Sequence, residues 1–139
     1  MATEVIVFPD VEDGIRVFLA AAFAARTGYT TVKASCGTKP ATLPAEFVHI
    51  TRTGGPAELI LDRAQITLEA YAKTGARAVA IVNLARGLLH AASREGAMGA
   101  LTVYSVADFG GPYSDPDPNA PTFTRYSATL QVTVRGSAV

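Results

Sequence analysis

The residues best suited to chemistry in this chain are a single cysteine, Cys36, and two histidines, His49 and His90. A nucleophilic cysteine needs a histidine beside it in space, and the spacing of these three residues does not indicate such a pair. An H-E-x-x-H pattern, which would place two imidazoles on one helix turn, is absent from the sequence. One cysteine also excludes a disulfide framework and a cysteine zinc cluster. We therefore interpret all three as structural residues and expect no catalytic residue, cofactor or metal.

A second candidate is the spacing D-x-D-x-N formed by Asp115, Asp117 and Asn119, which opens a calcium-binding loop. The pattern then fails, because Ala120 stands where the loop requires glycine and Tyr126 where it requires a bidentate glutamate. Two prolines within the segment stiffen it further. This excludes an EF-hand and leaves open a weak cation site made by the carboxylates.

The tripeptide Gly-Gly-Pro occurs twice, as Gly54-Gly55-Pro56 and as Gly110-Gly111-Pro112. Neither copy is followed by Lys-Ser/Thr or by a helix start, so neither is a phosphate loop. Glycine in such a segment is typical of a turn with positive φ, and we expect each copy to interrupt a strand. Four charged residues surround the first copy: Arg52, Glu58, Asp62 and Arg63. Two interpretations stay open for them, a solvated hairpin tip and a charge pairing between subunits that sets their register.

Length, net charge and composition limit the classes of protein to which this chain can belong. The chain has 139 residues and a mass of 14.5 kDa, which indicates one domain spanning residues 1–139. Twelve basic and twelve acidic residues give zero net charge, which argues against nucleic-acid binding by general electrostatics. Charged residues make up 17% of the chain, against about 25% in average domains. Either alanine bias accounts for this apolar composition or, as we expect, part of the surface is buried against other chains.

Targeting signals are not evident in the sequence. The longest apolar run, Val17 to Ala25, is far shorter than the roughly 20 residues of a membrane helix. The first ten residues carry no basic region typical of a secretory signal. We expect the chain to be cytosolic when it is made.

Hydrophobic periodicity predicts two helices, over residues 10–26 and 75–93, with Asp10 capping the first. Strands are predicted over 46–53, 59–71, 101–109 and 123–135, with a short one possible over 30–32. The resulting order is α-β-β-α-β-β. It predicts an α+β domain in which two helices pack on one face of a mixed, mainly antiparallel sheet of about four strands. Residues 110–121 are predicted to be a flexible polar loop that becomes ordered on assembly.

Several segments together carry a family resemblance. They are Pro9-Asp10-Val11-Glu12, Arg52-Thr53-Gly54-Gly55-Pro56, Asp62-Arg63, Ile66 to Tyr71, Gly111-Pro112, Asp117-Pro118, Arg125-Tyr126 and Leu130 to Gly136. In this order, over almost the whole chain, the sequence resembles the tail terminator proteins of long-tailed siphophages, especially those of actinobacterial hosts. It departs from them at Tyr71, where tryptophan is common, and in the loop from Leu43 to Glu46.

This resemblance implies a structural virion protein and not an enzyme. Tail terminators form a hexameric ring on the head-proximal end of the tail tube, where they end polymerisation of the major tail protein. The ring also offers the attachment surface for the head-completion, or connector, proteins of the neck. Genome DNA passes through its lumen without specific binding. The expected location is the virion tail and neck, after assembly in the host cytoplasm.

Two groups of residues are the candidate contact surfaces. The candidate interface between subunits comprises Arg52, Gly54, Gly55, Pro56, Glu58, Asp62 and Arg63. The candidate loop for contact with the neck or tube comprises Gly111, Pro112, Tyr113, Asp115, Asp117, Asn119 and Arg125. Two other functions stay open: another neck or tail-completion component, and a small ligand-binding or catalytic α+β domain.

Overall fold

The computed structural model describes residues 3–139, and these form two helices and nine strands. The elements are β1 (Ile6–Val7), α1 (Val11–Ala24), β2 (Lys33–Cys36), β3 (Phe47–Gly54), β4 (Ala57–Glu58), β5 (Leu61–Ala72), α2 (Gly75–Glu95), β6 (Ala97–Met98), β7 (Leu101–Ser114), β8 (Thr124–Arg135) and β9 (Ser137–Ala138).

The main sheet has seven strands in the order β2-β3-β5-β8-β7-β6, with β4 paired to one end of β5. Only the β2–β3 pair is parallel, and β1 forms a separate antiparallel ribbon with β9. The predicted α+β class with a mainly antiparallel sheet is confirmed, but the prediction of about four strands was too low. The missed strands β1, β4, β6 and β9 have two residues each, which is too short to show an alternating pattern.

Both helices begin where the sequence supplies a cap. The Asp10 side chain accepts a hydrogen bond from the Asp13 N–H, 3.1 Å away, and starts α1 as predicted. Thr74 caps α2 in the same way, through the Arg77 N–H. Gly96, in the left-handed conformation, ends α2.

The core lies between the helices and one face of the sheet. Buried residues of α1 and α2 form one cluster with alternate residues of β5 and β8. The alternation predicted for these two strands is confirmed, since the following side chains are fully buried: Ala64, Ile66, Leu68, Ala70, Ala128, Leu130, Val132 and Val134. Gly14 gives Leu101 room to pack on α1, because a Cβ at this glycine would lie 2.7 Å from the leucine Cδ1.

Two predicted boundaries were wrong. The short strand expected over 30–32 lies instead at 33–36, where parallel pairing with β3 supplies its hydrogen bonds. The strand expected to end at Phe109 continues as β7 to Ser114, straight through Gly110-Gly111-Pro112. Its pairing with β8 shifts register there but does not stop, so residues 110–114 are strand rather than loop.

Candidate functional site

At the first Gly-Gly-Pro copy the chain interrupts its pairing with β5, and the pairing continues beyond the copy. Register shifts between Arg52 and Gly54, and β4 then resumes the pairing with β5. Gly54 and Gly55 have φ of 131° and 103°. A Cβ at Gly55 would lie 1.9 Å from the Arg63 carbonyl oxygen, so only glycine fits this close approach of two backbones.

An ion pair fastens this hairpin inside one chain. The two terminal guanidinium nitrogens of Arg52, Nη1 and Nη2, donate to the Asp62 carboxylate at 2.6 and 2.7 Å, and Asp62 is only 3% exposed. The hydrogen bond with Asp62 raises the pKa of Arg52. Glu12 of α1 accepts the Arg52 N–H at 2.8 Å. The structure therefore gives Arg52 and Asp62 an internal role.

The other two charges of the candidate interface lie at the surface. Glu58 and Arg63 are 3.7 Å apart, and the Glu58 side chain is 64% exposed. An exposed pair at this distance contributes little to the stability of the chain. Of the four charges, Glu58 and Arg63 are thus the pair that is free to face another subunit.

The tip of this hairpin is aliphatic, a feature that the sequence analysis missed. Leu59 and Ile60 occupy the two turn positions between paired Glu58 and Leu61. Leu59 has φ of 47° and is 94% exposed. Such a position normally carries glycine, asparagine or aspartate. Two large aliphatic residues in a tight turn were the available signal, because they contradict ordinary turn chemistry.

The second Gly-Gly-Pro copy lies within β7, and its glycines have no positive φ. Nothing lies within 4 Å of a Cβ built at Gly110 or Gly111. Pro112 and Tyr113 continue the strand, and the Tyr113 side chain is about half exposed. The candidate contact loop therefore begins at Asp115, and its first three members belong to a strand.

Arg125 of β8 holds the start of this loop. Its guanidinium contacts the carboxylates of Glu69, at 2.8 Å, and of Asp115, at 3.2 Å. The same side chain donates to the Tyr71 hydroxyl oxygen at 3.1 Å. Ser127 donates to Asp115 at 2.9 Å. These contacts attach the loop to the end of the β5–β8 pair.

Asp117 holds the middle of the loop. The Tyr71 hydroxyl donates to its carboxylate at 2.8 Å, and the Asn119 N–H donates to the other oxygen at 2.9 Å. These hydrogen bonds lower the pKa of Asp117, while burial raises the pKa of Tyr71. Ala120 is buried in a small cluster with Phe47 and Tyr71. Segment 115–121 is thus packed on the sheet through both polar and apolar contacts.

The contacts of Asp115 and Asp117 are also relevant to the weak cation site that the D-x-D-x-N spacing left open. Asp115 and Asp117 both lie beside the Arg125 guanidinium, at 3.2 and 3.7 Å, and also accept hydrogen bonds from Ser127 and Tyr71, so both carboxylates already have a cationic partner in the chain. Across residues 3–139, no three or more His, Cys, Asp or Glu side chains group as metal ligands.

The cysteine and the histidines each have a partner in the chain. Ser35 Oγ lies 2.8 Å from His49 Nδ1, and His49 is 5% exposed, with burial lowering its pKa. His90 Nε2 lies 2.9 Å from Asp108. Burial raises the pKa of the Cys36 thiol. The sequence analysis missed the Ser35–His49 contact because it depends on the parallel pairing of β2 and β3.

No family model matches this chain, and no curated protein matches it. Neither helix within residues 3–139 has the length and apolar character needed to cross a membrane.

Proposed function

We propose that this chain is a structural subunit of a phage tail, which forms a hexameric ring on the head-proximal end of the tail tube. The ring ends polymerisation of the major tail protein and presents an attachment surface to the connector proteins of the neck. The family resemblance given above supports this proposal. The segments that carry it include parts of the β3–β5 hairpin and of the loop held by Arg125, together with the start of α1 and the end of β8.

The observation that carries the proposal is the chemistry of the two ends of the β5–β8 pair. Leu61 pairs with Arg135 at one end and Ala72 with Thr124 at the other, so the ends lie about 40 Å apart. The aliphatic hairpin tip, Leu59 and Ile60, stands at the first end, and the polar, proline-containing loop 115–121 at the second. A subunit that caps a tube needs two such dissimilar surfaces, because it binds the tube on one side and the neck on the other.

The charge balance of the chain is consistent with a ring whose lumen lets DNA pass. The chain has zero net charge. Five of the chain's basic side chains, those of Arg16, Arg52, Arg77, Arg86 and Arg125, donate hydrogen bonds to acidic side chains of the chain itself. A ring of such subunits offers DNA no broad basic surface that would hold it in place.

The experiment that tests the proposal adds purified chain to purified tail tubes and images the tube ends by negative-stain electron microscopy. We expect discrete rings at one end only, together with loss of further elongation when major tail protein is added. Leu59→Asp should reduce capping strongly, whereas Asn83→Asp, at an exposed position on α2, serves as the matched control and should not.

Two other outcomes would point elsewhere. Rings that bind connector proteins and ignore tube ends would identify another neck component. A monomer whose melting temperature rises with a small ligand, and which ignores tubes, would identify a ligand-binding domain.

A further inference from the structure

The outer edge of β7 is open over most of its length. β6 pairs with Leu101 and Thr102, and the Val103 N–H donates to the Gly96 carbonyl oxygen. Within residues 3–139 no strand lies beside the outer edge of β7 from Tyr104 onward. An open edge presents unpaired N–H and C=O groups and is a template for another strand. The chain thus leaves a backbone surface that can pair with a second molecule.

The segment from Ser105 to Asp108 carries little of the usual protection against such pairing. Soluble proteins shield open edges with lysine, proline or bulges. Asp108 is the only charged residue between Leu101 and Ser114, and it contacts Arg86 and His90 of α2. Register shifts between Val103 and Ser105 on one side, and around Gly110 together with Pro112 on the other, interrupt the strand outside this segment. The four residues from Ser105 to Asp108 are the part suited to pairing.

The opposite edge of the same sheet is also open. It is formed by β2, whose four residues pair only with β3 in the described chain. Residues 28–45 carry Lys33 and Lys39 and no acidic residue, whereas residues 97–121 carry Asp108, Asp115 and Asp117 and no basic one. Lys39 lies 3.7 Å from Asp117 of its own chain. Lys33 is exposed, and Asp108 is the acidic residue within the β7 segment that it would approach.

We propose that, in the ring, residues 105–108 of β7 pair with the four residues of β2 of the adjacent copy, so that the sheet continues from subunit to subunit. This inference rests on the proposed ring function. Contact between two different edges is heterologous, which is the kind of contact that generates rings. β2 and β3 run parallel, while β3–β5, β5–β8 and β8–β7 are antiparallel, so β7 runs opposite to β2. Rotation about a ring axis preserves this relation, and the new pair is therefore antiparallel.

Disulfide cross-linking tests the contact directly. Lys33 pairs with Phe47, and Ala107 with Gln131, on the face of the sheet turned away from the helices. In a Cys36→Ser background, chains carrying Lys33→Cys together with Ala107→Cys are oxidised and separated on a denaturing gel. Lys33→Cys together with Gly87→Cys, an exposed position on α2 with open space around it, is the matched control.

We expect a ladder of covalent species ending at the ring size for the first pair and none for the control. Ser105→Lys, which adds a charge to the exposed edge, should raise the concentration needed for ring formation at least tenfold, while Asn83→Lys leaves it unchanged. A dimer that forms from Ala107→Cys alone would show that β7 pairs with itself and would overturn the inference. Normal rings without cross-links, with Ser105→Lys also normal, would overturn it and leave the proposed function standing. Absence of both rings and tube capping in the unmodified chain would overturn the proposed function itself.

Discussion

The tripeptide Gly-Gly-Pro occurs twice in this chain, and the two copies act differently on the strands that contain them. At Gly54-Gly55-Pro56 both glycines have positive φ, and the backbone passes against Arg63. At Gly110-Gly111-Pro112 neither glycine has positive φ, and the space around both is open. The first copy is required by close contact with β5, whereas the second lies on an exposed edge.

The charged residues near the two copies can be compared in the same way. The hairpin of the first is fastened by the buried Arg52–Asp62 pair. The loop after the second is fastened by Arg125 and by the Tyr71–Asp117 hydrogen bond. Both ends of the β5–β8 pair are thus held by charged hydrogen bonds, but only the first also depends on glycine geometry.

The largest expected effect is a difference in the free energy of unfolding between alanine variants at the two glycine sites. Gly55→Ala places a methyl group 1.9 Å from the Arg63 carbonyl at a φ of 103°, so the hairpin must move. We expect a loss of about 3 kcal/mol in the free energy of unfolding, measured by urea denaturation. Gly111→Ala, with nothing within 4 Å, is the control and should change it by less than about 0.5 kcal/mol. Equal losses at both positions would show that the two copies do not differ in this way.

The second prediction concerns Arg52, the basic residue that pairs with Asp62 in the hairpin. Arg52→Met leaves the buried Asp62 carboxylate without its bidentate partner, and we expect a loss of about 2 to 3 kcal/mol in the free energy of unfolding. Arg63→Met is the matched control, because its exposed partner Glu58 lies 3.7 Å away, and it should cost less than about 0.5 kcal/mol. If the Arg63 variant proves the less stable of the two, the hairpin is not held by the buried pair.

How much of this contrast the sequence reveals depends on the range of the interactions. Period-two alternation in β5 and helical periodicity in α1 were visible because each depends only on neighbouring residues. The different behaviour of two identical tripeptides was not visible, since it depends on the strand paired beside each one. The Arg52–Asp62 contact likewise requires the register shift after Arg52, which no local pattern shows. The sequence therefore pointed to the charged residues around the hairpin but left open whether they form a solvated tip or pair between subunits, whereas Arg52 and Asp62 pair within the chain.

The third prediction concerns the loop at the second end. Because hydrogen bonds from Tyr71 and Asn119 lower the pKa of Asp117 in the folded chain, its carboxylate stabilises the fold above the ordinary aspartate pKa of about 4. This contribution is lost as pH falls through the folded-state pKa. We expect Asp117→Asn to cost about 2 kcal/mol at neutral pH, and the difference from the unmodified chain to shrink below about pH 4. Glu58→Gln, at an exposed site, is the control. A difference that stays constant down to about pH 2.5 would contradict a role for the ionised carboxylate.

The smallest expected effect has the opposite sign and lies at the hairpin tip. Leu59 holds a φ of 47° with its side chain in solvent, which costs a leucine about 1 kcal/mol and an asparagine less. Leu59→Asn should therefore raise the free energy of unfolding by about 0.5 to 1 kcal/mol while weakening tube capping. Ile60→Asn, at the adjacent position without positive φ, controls for loss of apolar surface and should weaken capping without stabilising the chain. A chain that is stabilised by Leu59→Asn and still caps tubes normally would show that the aliphatic tip has no part in assembly. Together the two variants distinguish the free-energy cost of the positive φ at Leu59 from the contribution of the aliphatic side chains to binding a partner.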